Sequence, residues 1–250
     1  MTIKSIWLRR IHKWVGLVIG LQFLIWAISG AAMALISMDE VAGGAMSETV
    51  NPAAPPTASG WANVQRQLAD QPIAGARLRS LPGRQAVEVS TDRGTRLFDA
   101  GNGEPIRIDR SSAATIAKAA HPDGLSPSRV TALTELTLAV REHELPIWRV
   151  DFADEKGSSY YVSGATGDLL ERRNDSWRWW DFFWMLHNMD YANRTSFNHP
   201  LIITVGIAMA WLAVTGFWLL FRTMWRHDFA AARRFRARYL QASARDARNN

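Results

Sequence analysis

The sequence has no cysteine, and this absence excludes several kinds of metal and redox site at once. Without cysteine the chain forms no disulfide, and it holds neither a cysteine-ligated iron–sulfur cluster nor a thiolate zinc site. A bound metal would need ligands from histidine or carboxylate side chains. The chain has six histidines, so their placement is central to any metal site.

Several common motifs are also missing. The chain has no G-x-x-x-x-G-K or G-x-G-x-x-G segment, no H-E-x-x-H segment and no G-x-S-x-G turn, which excludes nucleotide and hydrolase sites of those kinds. The formal charge is +6, and most of the basic excess lies in the first 13 residues and after Phe221. A nucleic-acid-binding domain carries its basic residues on a folded face, so we expect no nucleic-acid partner.

Two long stretches lack charged residues altogether. Trp14–Met38 has 25 uncharged residues and Pro200–Phe221 has 22. At about 1.5 Å per residue, each is long enough to cross a hydrocarbon core of roughly 30 Å as a helix. We therefore predict transmembrane helices at 14–38 and 200–221. The first stretch also fits a signal peptide with a cleavage site at Ala32–Ala34, but it exceeds the about 7–15 residues of a signal core, which favours a retained anchor.

Basic residues flank both stretches and predict their orientation. Lys4, Arg9, Arg10 and Lys13 precede the first, and Arg222, Arg226, Arg233, Arg234, Arg236 and Arg238 follow the second. Because cytoplasmic ends of spans are rich in Lys and Arg, we place both termini, 1–13 and 222–250, in the cytoplasm. Residues 39–199 then lie outside a bacterial inner membrane, in the periplasm. The tail 222–250 is predicted to be a basic helix that contacts anionic lipid.

The segment 176–192 is rich in aromatic residues but is a poor span, because it also holds Asp181, His187 and Asp190. Its aromatic residues include Trp177, Trp179, Trp180, Phe182, Phe183 and Trp184. Aromatic rings beside polar groups prefer the headgroup region of a membrane. We predict a helix that lies at the interface, followed by a turn at 193–198.

The central region is predicted to be a folded domain with an internal repeat. Residues 39–60 have the Ala-, Pro- and Ser-rich composition of a linker, and 61–175 then shows a short helix followed by strands, twice, in units 61–108 and 109–175. The alternating apolar residues are Val87, Val89 and Leu97 in the first unit and Trp148, Val150 and Phe152 in the second. Because each unit is small, we expect the two to pack together. The predicted class is α+β, with antiparallel sheets between two flanking transmembrane helices.

Small and polar residues interrupt the two uncharged stretches. The small pairs are Gly16 with Gly20 and Gly206 with Ala210. Residues at this spacing let helices approach closely, within one chain or in a dimer. The polar residues Gln22, Ser29 and Thr215 should face another helix or their own backbone, because lipid offers them no partner.

Three segments resemble PepSY-domain membrane proteins. PIWRVDF at 146–152, followed by SSYYVSGATGDLLERR at 158–173, is similar to the PepSY strand and its T-G-[DE] turn. RRIHKWVGLVIGLQFLIWAISG at 9–30 resembles the first helix of PepSY-associated membrane proteins, with its R-x-x-H-[KR]-W-x-G opening. The segment 186–221 resembles their later helix, with a histidine before the span and a T-G near its end.

This resemblance covers nearly the whole chain and implies a function. Larger members of the family have four spans and include inner-membrane ferric-siderophore reductases that hold haem b through histidines. The resemblance implies haem b binding and transmembrane electron transfer, to a periplasmic ferric chelate or a flavoprotein. Because this chain has only two predicted spans, it also implies a homodimer or a partner membrane redox subunit.

The histidines at the predicted membrane boundaries are the candidate haem ligands. His12 lies at the cytoplasmic end of the first span, and about 25 helical residues, or roughly 37 Å, separate it from the outer end. We therefore expect an inner pair, His12 and His227, and an outer pair, His187 and His199. The alternative is that these are ordinary interfacial residues, with His199 capping the second span.

The central region contains three further candidate positions, His121, His143 and Thr166. His121 and His143 are predicted to be surface or turn residues. The segment SGAT, ending at Thr166, is similar to the acceptor for covalent FMN in some membrane redox subunits. We favour the simpler interpretation, that Thr166 belongs to the PepSY strand turn, because so short a match arises easily by chance.

Three functions follow from these patterns. The first, which we favour, is a haem b-binding subunit of an electron-transfer system. The second is a non-enzymatic PepSY module that binds and restrains a protease or another envelope protein. The third is a structural accessory of a membrane complex. Only the first requires histidines that face a shared slot between helices.

Overall fold

The computed structural model describes residues 5–43, 55–192, 194, 196 and 198–222. The chain divides into a helical unit, Met1–Ala34 with Phe182–Asn250, and a sheet unit, Leu35–Asp181. The predicted basic tail beyond residue 222, including His227, lies outside the described residues, as do residues 193, 195 and 197 of the predicted turn and the middle of the predicted linker.

The helical unit contains two helices that are long and apolar enough to cross a membrane. Helix α1 covers Ser5–Leu35 and helix α6 covers Pro200–Arg222, and each contains an 18-residue window of mean hydropathy 2.0. Only 6% of each window is buried, which leaves broad apolar surface for lipid. Both predicted spans are therefore helical, although α1 begins at Ser5, ahead of the predicted start at Trp14.

Cations lie against tryptophan rings at the ends of these helices. The pairs are Arg10 over Trp7 at 5.9 Å, Lys13 over Trp14 at 5.5 Å and Arg222 over Trp218 at 5.1 Å, measured to the ring centroids. The 31 residues of α1 extend about 46 Å, which exceeds the roughly 30 Å hydrocarbon core. Its basic first turns therefore fit the headgroup region, where such cation–indole pairs are common.

One side of α1 is shielded, at alternating spacings of three and four residues. These residues are His12, Val15, Ile19, Gln22, Trp26 and Ser29, and we call them the α1 seam. The spacing is that of left-handed helix packing. Beside the seam, a Cβ added at Gly16 would lie 3.8 Å from Leu212 of α6, which is an ordinary contact distance, so Gly16 lies near α6 at a position that does not require glycine. Within the described residues, nothing lies within 4 Å of the same point at Gly20 or Gly206.

The first half of the sheet unit is a helix followed by a four-stranded antiparallel sheet. After the short helix α2, Met38–Val41, helix α3 covers Ala58–Gln67. The hydroxyl of Thr57 caps α3 by accepting the Gly60 N–H at 3.0 Å. The strands are β1 Ile73–Leu81, β2 Arg84–Thr91, β3 Gly94–Asp99 and β4 Pro105–Ile106, paired in that order.

The second half repeats this order. Helix α4, Arg110–Ala120, is capped by the Asp109 carboxylate, which accepts the Ser112 N–H at 2.8 Å. The elements that follow are β5 Arg129–Ala132, a 3-10 helix Leu138–Val140, β6 Ile147–Asp151, β7 Ser159–Ser163 and β8 Leu169–Arg173, with the four strands paired in order. The aromatic segment is helix α5, Asp175–Asn188. The predicted repeat of a helix and antiparallel strands is thus present in the structure.

The main core of the sheet unit joins its two halves. It contains residues of the first sheet, of α4 and of the second sheet, including Ala86, Leu97, Ala113, Ile116, Val150 and Val162. A second cluster packs α3 on the other face of the first sheet, with Val64, Val87 and Phe98. Residues of both halves therefore share one core, and α4 contributes to it.

The alternation predicted in the first sheet is only partly right. Leu97 pairs with Glu88, whereas Val87 pairs with Phe98, so Leu97 and Val87 point to opposite faces. Both faces are covered, because α3 packs on one and α4 on the other. As a result Glu88 is buried, with 6% of its surface exposed. From the sequence alone, a charged residue at this position would be expected to face solvent.

Candidate functional site

His12 lies against α6, within hydrogen-bond distance of a hydroxyl on that helix. Its Nδ1 atom is 2.8 Å from Thr215 Oγ1. The Thr215 hydroxyl donates its own proton to the Trp211 carbonyl at 2.8 Å, so it is left to accept from histidine. The His12 ring also lies 6.2 Å from the Trp211 ring, between centroids. These contacts fix the plane of the imidazole on α6.

His187, on α5, has a matching environment on α1. Its Nδ1 atom is 3.2 Å from the Trp26 carbonyl and 3.2 Å from Ser29 Oγ. The Ser29 hydroxyl donates to the Ile25 carbonyl at 2.7 Å, which again leaves an acceptor for the histidine. Ser29 is buried, and a Cβ at the next residue, Gly30, would lie 3.2 Å from His187 Cε1. A methyl group at residue 30 would therefore be in tight contact with the His187 ring, which would have to shift by a few tenths of an ångström.

Both imidazoles are thereby set in one tautomer. A backbone carbonyl only accepts, so the Nδ1 of His187 must carry the proton, and the Thr215 hydroxyl imposes the same state on His12. The Nε2 atom then keeps its lone pair, and none of the residues that the structure describes hydrogen-bonds to it. Metal-ligating histidines are oriented in this way, by an Nδ1–H bond to a carbonyl or another acceptor.

The two histidines form separate sites along the membrane helices. His12 begins the α1 seam and Ser29, the partner of His187, ends it, and these 17 residues of helix correspond to about 26 Å. This is shorter than the roughly 37 Å expected from the sequence, because His187 packs against Trp26–Gly30, inside the uncharged part of α1. His12 and His187 cannot share one iron.

His199 differs from the other two, because both ring nitrogens are used. Its Nε2 donates to the Asn188 carbonyl at 2.7 Å, and its Nδ1 faces the Ile202 N–H at 3.5 Å. This is the helix-capping alternative that the sequence left open for His199. Within the described residues, His187 and His199 therefore do not form a ligand pair, and His227, the expected partner of His12, lies outside them.

The histidines of the sheet unit have structural partners. His121 directly follows α4 in a turn, within the predicted surface or turn positions, but it is buried, with only 5% of its surface exposed. Its ring packs against Phe152, tilted, at 4.6 Å and against Tyr160, stacked, at 5.9 Å between centroids, and its Nε2 is 3.6 Å from Asp154. It is buried because it follows the last residue of α4, and α4 packs in the main core together with Phe152 and Tyr160. His143 hydrogen-bonds Glu171 at 3.0 Å.

His121 also borders a cavity of ≈ 400 Å³ in the sheet unit. Its lining mixes acids and bases, among them Asp123, Asp154, Lys156 and Arg172. Burial would raise the pKa of Asp154, but hydrogen bonds from Ser158 and then His121 outweigh it and lower that pKa. In the part of the chain that the structure describes, no group of three or more His, Asp or Glu side chains is placed to hold a metal ion.

Thr166 lies in the turn between β7 and β8. Its hydroxyl donates to Asp168 Oδ2 at 2.6 Å, and Asp168 in turn pairs with Arg79 of the first sheet at 2.6 Å. Burial opposes ionisation of Asp168, but Arg79 and then Thr166 outweigh it and lower its pKa. These contacts give Thr166 a role in the turn and in joining the two sheets.

His12 and His187 each offer one imidazole for metal ligation. Axial ligation of haem needs an imidazole with a bare nitrogen, a fixed plane and an apolar surround. His12 and His187 meet these conditions, each on a different pair of helices, and neither has a second imidazole among the described residues. The sequence indicates both histidines, and it marks Thr215 and Ser29 as polar residues within the spans, but it does not identify them as the partners of the histidines.

The fold and these positions define a class: a membrane protein with two spanning helices and, between them in sequence, a domain of antiparallel sheets. A comparison with protein-family models matches residues 9–247 to the family described as PepSY-associated TM region. The chain therefore belongs to the PepSY-associated membrane protein family. No curated protein and no solved structure matched it in the corresponding searches.

Proposed function

We propose that this membrane protein is a haem b-binding subunit of a transmembrane electron-transfer system in the bacterial inner membrane. The observation that carries the proposal is the shared state of His12 and His187. Each donates its Nδ1–H to an acceptor on a facing helix, at 2.8 Å for His12 and 3.2 Å for His187, and keeps Nε2 bare. Haem bound there would supply one-electron chemistry within the apolar layer.

The protein's own contribution is positioning. Thr215 holds the His12 ring, and Ser29 with the Trp26 carbonyl holds the His187 ring. Glycine at Gly30 leaves room beside the His187 ring. Because each site offers one imidazole among the described residues, a second axial ligand must come from elsewhere. A second copy of the chain or a partner redox subunit would supply it, and His227 is a further source at the His12 site.

The orientation follows from the basic residues. With the Arg-rich ends of α1 and α6 in the cytoplasm, the sheet unit lies in the periplasm, where it would present electrons to a ferric chelate or a flavoprotein. His12 is then the inner ligand and His187 the outer one. The two sites, about 26 Å apart along α1, would relay electrons across the membrane.

The test is a visible spectrum of the full-length protein, purified in detergent from cells supplied with haem. We expect a sharp Soret band and resolved α and β bands after dithionite reduction, typical of bis-histidine haem b. His12→Ala and His187→Ala should each remove part of the absorbance, and together all of it. His143→Ala, which changes a histidine of the sheet unit, is the control and should leave the spectrum unchanged. A flat spectrum would refute haem binding and favour the binding-module function.

A further inference from the structure

The cavity of ≈ 400 Å³ beside His121 lies wholly within the sheet unit, and the proposed haem ligands do not line it. Four separate stretches of chain form its wall, 39–43, 121–123, 154–160 and 172–174. The wall includes the buried polar side chains of His121, Ser158 and Asn174. Sites for small ligands have volumes of roughly 300–1,000 Å³. The cavity therefore combines a fixed polar wall with room for a small ligand.

Charged groups of both signs line this cavity. The carboxylates are those of Asp39, Glu40, Asp123 and Asp154, and the cations are those of Lys156, Arg172 and Arg173. Asp154 accepts a hydrogen bond from Ser158 at 2.6 Å, and Arg173 pairs with Glu171 at 3.0 Å. Among the residues that the structure describes, the side-chain charges of Asp39, Asp123 and Lys156 have no hydrogen-bond or ion-pair partner. Two carboxylates and one ammonium can thus meet a ligand without breaking a contact of the fold.

Both ends of the sheet unit, as they follow in the sequence, border this cavity. Asp39 is four residues beyond Leu35, the last residue of α1, and four residues reach at most about 14 Å. Asn174 lines the cavity and directly precedes α5, whose Trp179 is 60% exposed. The Asn174 amide donates to the Glu40 carbonyl at 2.7 Å, and this hydrogen bond joins the two ends.

This position brings the cavity close to lipid headgroups. The uncharged part of α1, Trp14–Leu35, extends about 33 Å, which matches the roughly 30 Å hydrocarbon core and puts Leu35 at its edge. The headgroup region adds about 5–8 Å on each side of that core, and exposed tryptophan prefers this region. With Asp39 tied to Leu35 and Asn174 to the aromatic helix, a headgroup is the ligand that the cavity meets first.

The charges of the wall narrow the kind of headgroup. A purely anionic headgroup would be repelled by the four carboxylates, whereas a group with a phosphate and an ammonium meets a partner of opposite charge at each end. A primary ammonium donates hydrogen bonds to carboxylates, but a quaternary one has no N–H and is held by exposed aromatic rings, and the rings of this wall are buried. We propose that this cavity binds the phosphoethanolamine headgroup of a membrane phospholipid, with its phosphate at Lys156 and its ammonium at Asp39 and Asp123. This binding does not depend on the proposed haem function.

The experiment measures lipid binding by the full-length protein in detergent, using native mass spectrometry. Phosphatidylethanolamine should bind at about one per chain, and roughly fivefold or more tightly than phosphatidylglycerol or phosphatidylcholine with the same acyl chains. Lys156→Ala and Asp123→Asn change exposed side chains, so the fold should be retained, and each should weaken binding by roughly five- to tenfold through the loss of one charge-assisted hydrogen bond. Arg93→Ala and Asp92→Asn, in the exposed turn between β2 and β3, are the matched controls and should bind as the wild type does.

Glycerophosphoethanolamine, which carries the same headgroup without acyl chains, separates a lipid from a soluble ligand. If the ligand is a lipid, this compound should displace bound phosphatidylethanolamine only at a large excess. Binding of the soluble compound as tightly as the lipid would overturn the lipid assignment and give the cavity to a soluble phosphate ester with a primary ammonium. Equal binding of the three lipids, or binding that Lys156→Ala and Asp123→Asn leave unchanged, would overturn the site. None of these outcomes depends on the visible spectrum, so the site and haem binding are tested separately.

Discussion

The imidazole of His12 and the hydroxyl of Thr215 are 203 residues apart in the chain and 2.8 Å apart in the structure. This hydrogen bond joins the first turns of α1 to the last turns of α6. It also selects the tautomer of His12, because the Thr215 proton is already committed to the Trp211 carbonyl. The Thr215 hydroxyl thus contributes both to the packing of α1 against α6 and to the choice of tautomer at His12.

Removing that hydroxyl should loosen His12. We expect Thr215→Val, which keeps the shape of the side chain, to lower haem retention at the His12 site and to shift its redox midpoint, since the ring loses its fixed tautomer. Redox titration of the α band measures both effects. Thr204→Val is the matched control, because among the described residues the Thr204 hydroxyl bonds only the Pro200 carbonyl of its own helix. Equal behaviour of the two variants would contradict the role given to Thr215.

Adding a methyl group beside His187 should displace its ring. A Cβ at Gly30 would lie 3.2 Å from His187 Cε1 and 3.4 Å from Nδ1, closer than ordinary contacts. We expect Gly30→Ala to reduce haem absorbance at the His187 site by half or more, as judged from the reduced α band. Gly20→Ala, on the same helix with open space around it, should retain full absorbance. Full absorbance in Gly30→Ala would show that the position of this ring does not matter.

The buried carboxylate of Glu88 should support the sheet unit. It pairs with Arg79 at 2.8 Å and with Arg77 at 2.9 Å, and its side chain is 7% exposed, whereas that of Arg77 is 63% exposed. We expect Glu88→Ala to lower the free energy of unfolding by about 2–3 kcal/mol, mostly through Arg79, whose largely buried guanidinium keeps its pair with Asp168 but loses the one with Glu88. Thermal unfolding of the full chain in detergent, followed by circular dichroism, measures the loss.

The control for that variant is Glu142→Ala. Glu142 is 84% exposed and lies 3.9 Å from Arg141, so its removal should change the unfolding free energy by less than about 0.5 kcal/mol. Two variants of similar stability would mean that the Glu88 pairs contribute little beyond their desolvation.

Acid should destabilise the sheet unit. Hydrogen bonds from Ser112 and then Ser111 lower the pKa of Asp109 to about 2, and the pKa values of Asp154 and Asp168 are lowered as well. A carboxyl whose folded pKa is depressed stabilises the fold above its unfolded pKa, and this contribution is lost as the pH falls through the folded pKa. We therefore expect the unfolding temperature to fall between about pH 4 and pH 2.

Asparagine variants test which carboxyls cause that fall. Asp109→Asn and Asp168→Asn should lower the unfolding temperature near neutral pH and flatten its acid dependence, because the titrating group is gone. Asp92→Asn, in an exposed turn, should keep the slope of the wild type. A wild-type slope in all three variants would place the acid-sensitive groups elsewhere.

Local pattern was enough to predict the elements of this protein. The two spans could be predicted from two uncharged segments that are long enough to cross a bilayer, because a spanning helix is recognised by its length and hydropathy. Period-two alternation and turn residues gave the strands, and the repeated order of helix and strands gave the two halves. The segments that carried the family resemblance also contain His12, His187 and Thr215, so the candidate positions themselves could be named from the sequence.

Pairings between distant residues were decided by the tertiary structure. The rotation of α1 and α6 about their axes brings Thr215 to His12, and α5 brings His187 to Ser29, while His199 turns both nitrogens to backbone groups. Packing of helices on both faces of the first sheet buries Glu88 and separates Leu97 from Val87. Hydropathy and periodicity describe one helix or strand at a time. The tautomer of a histidine or the burial of a charge depends on the neighbouring element, and the neighbours are determined only when the elements pack together.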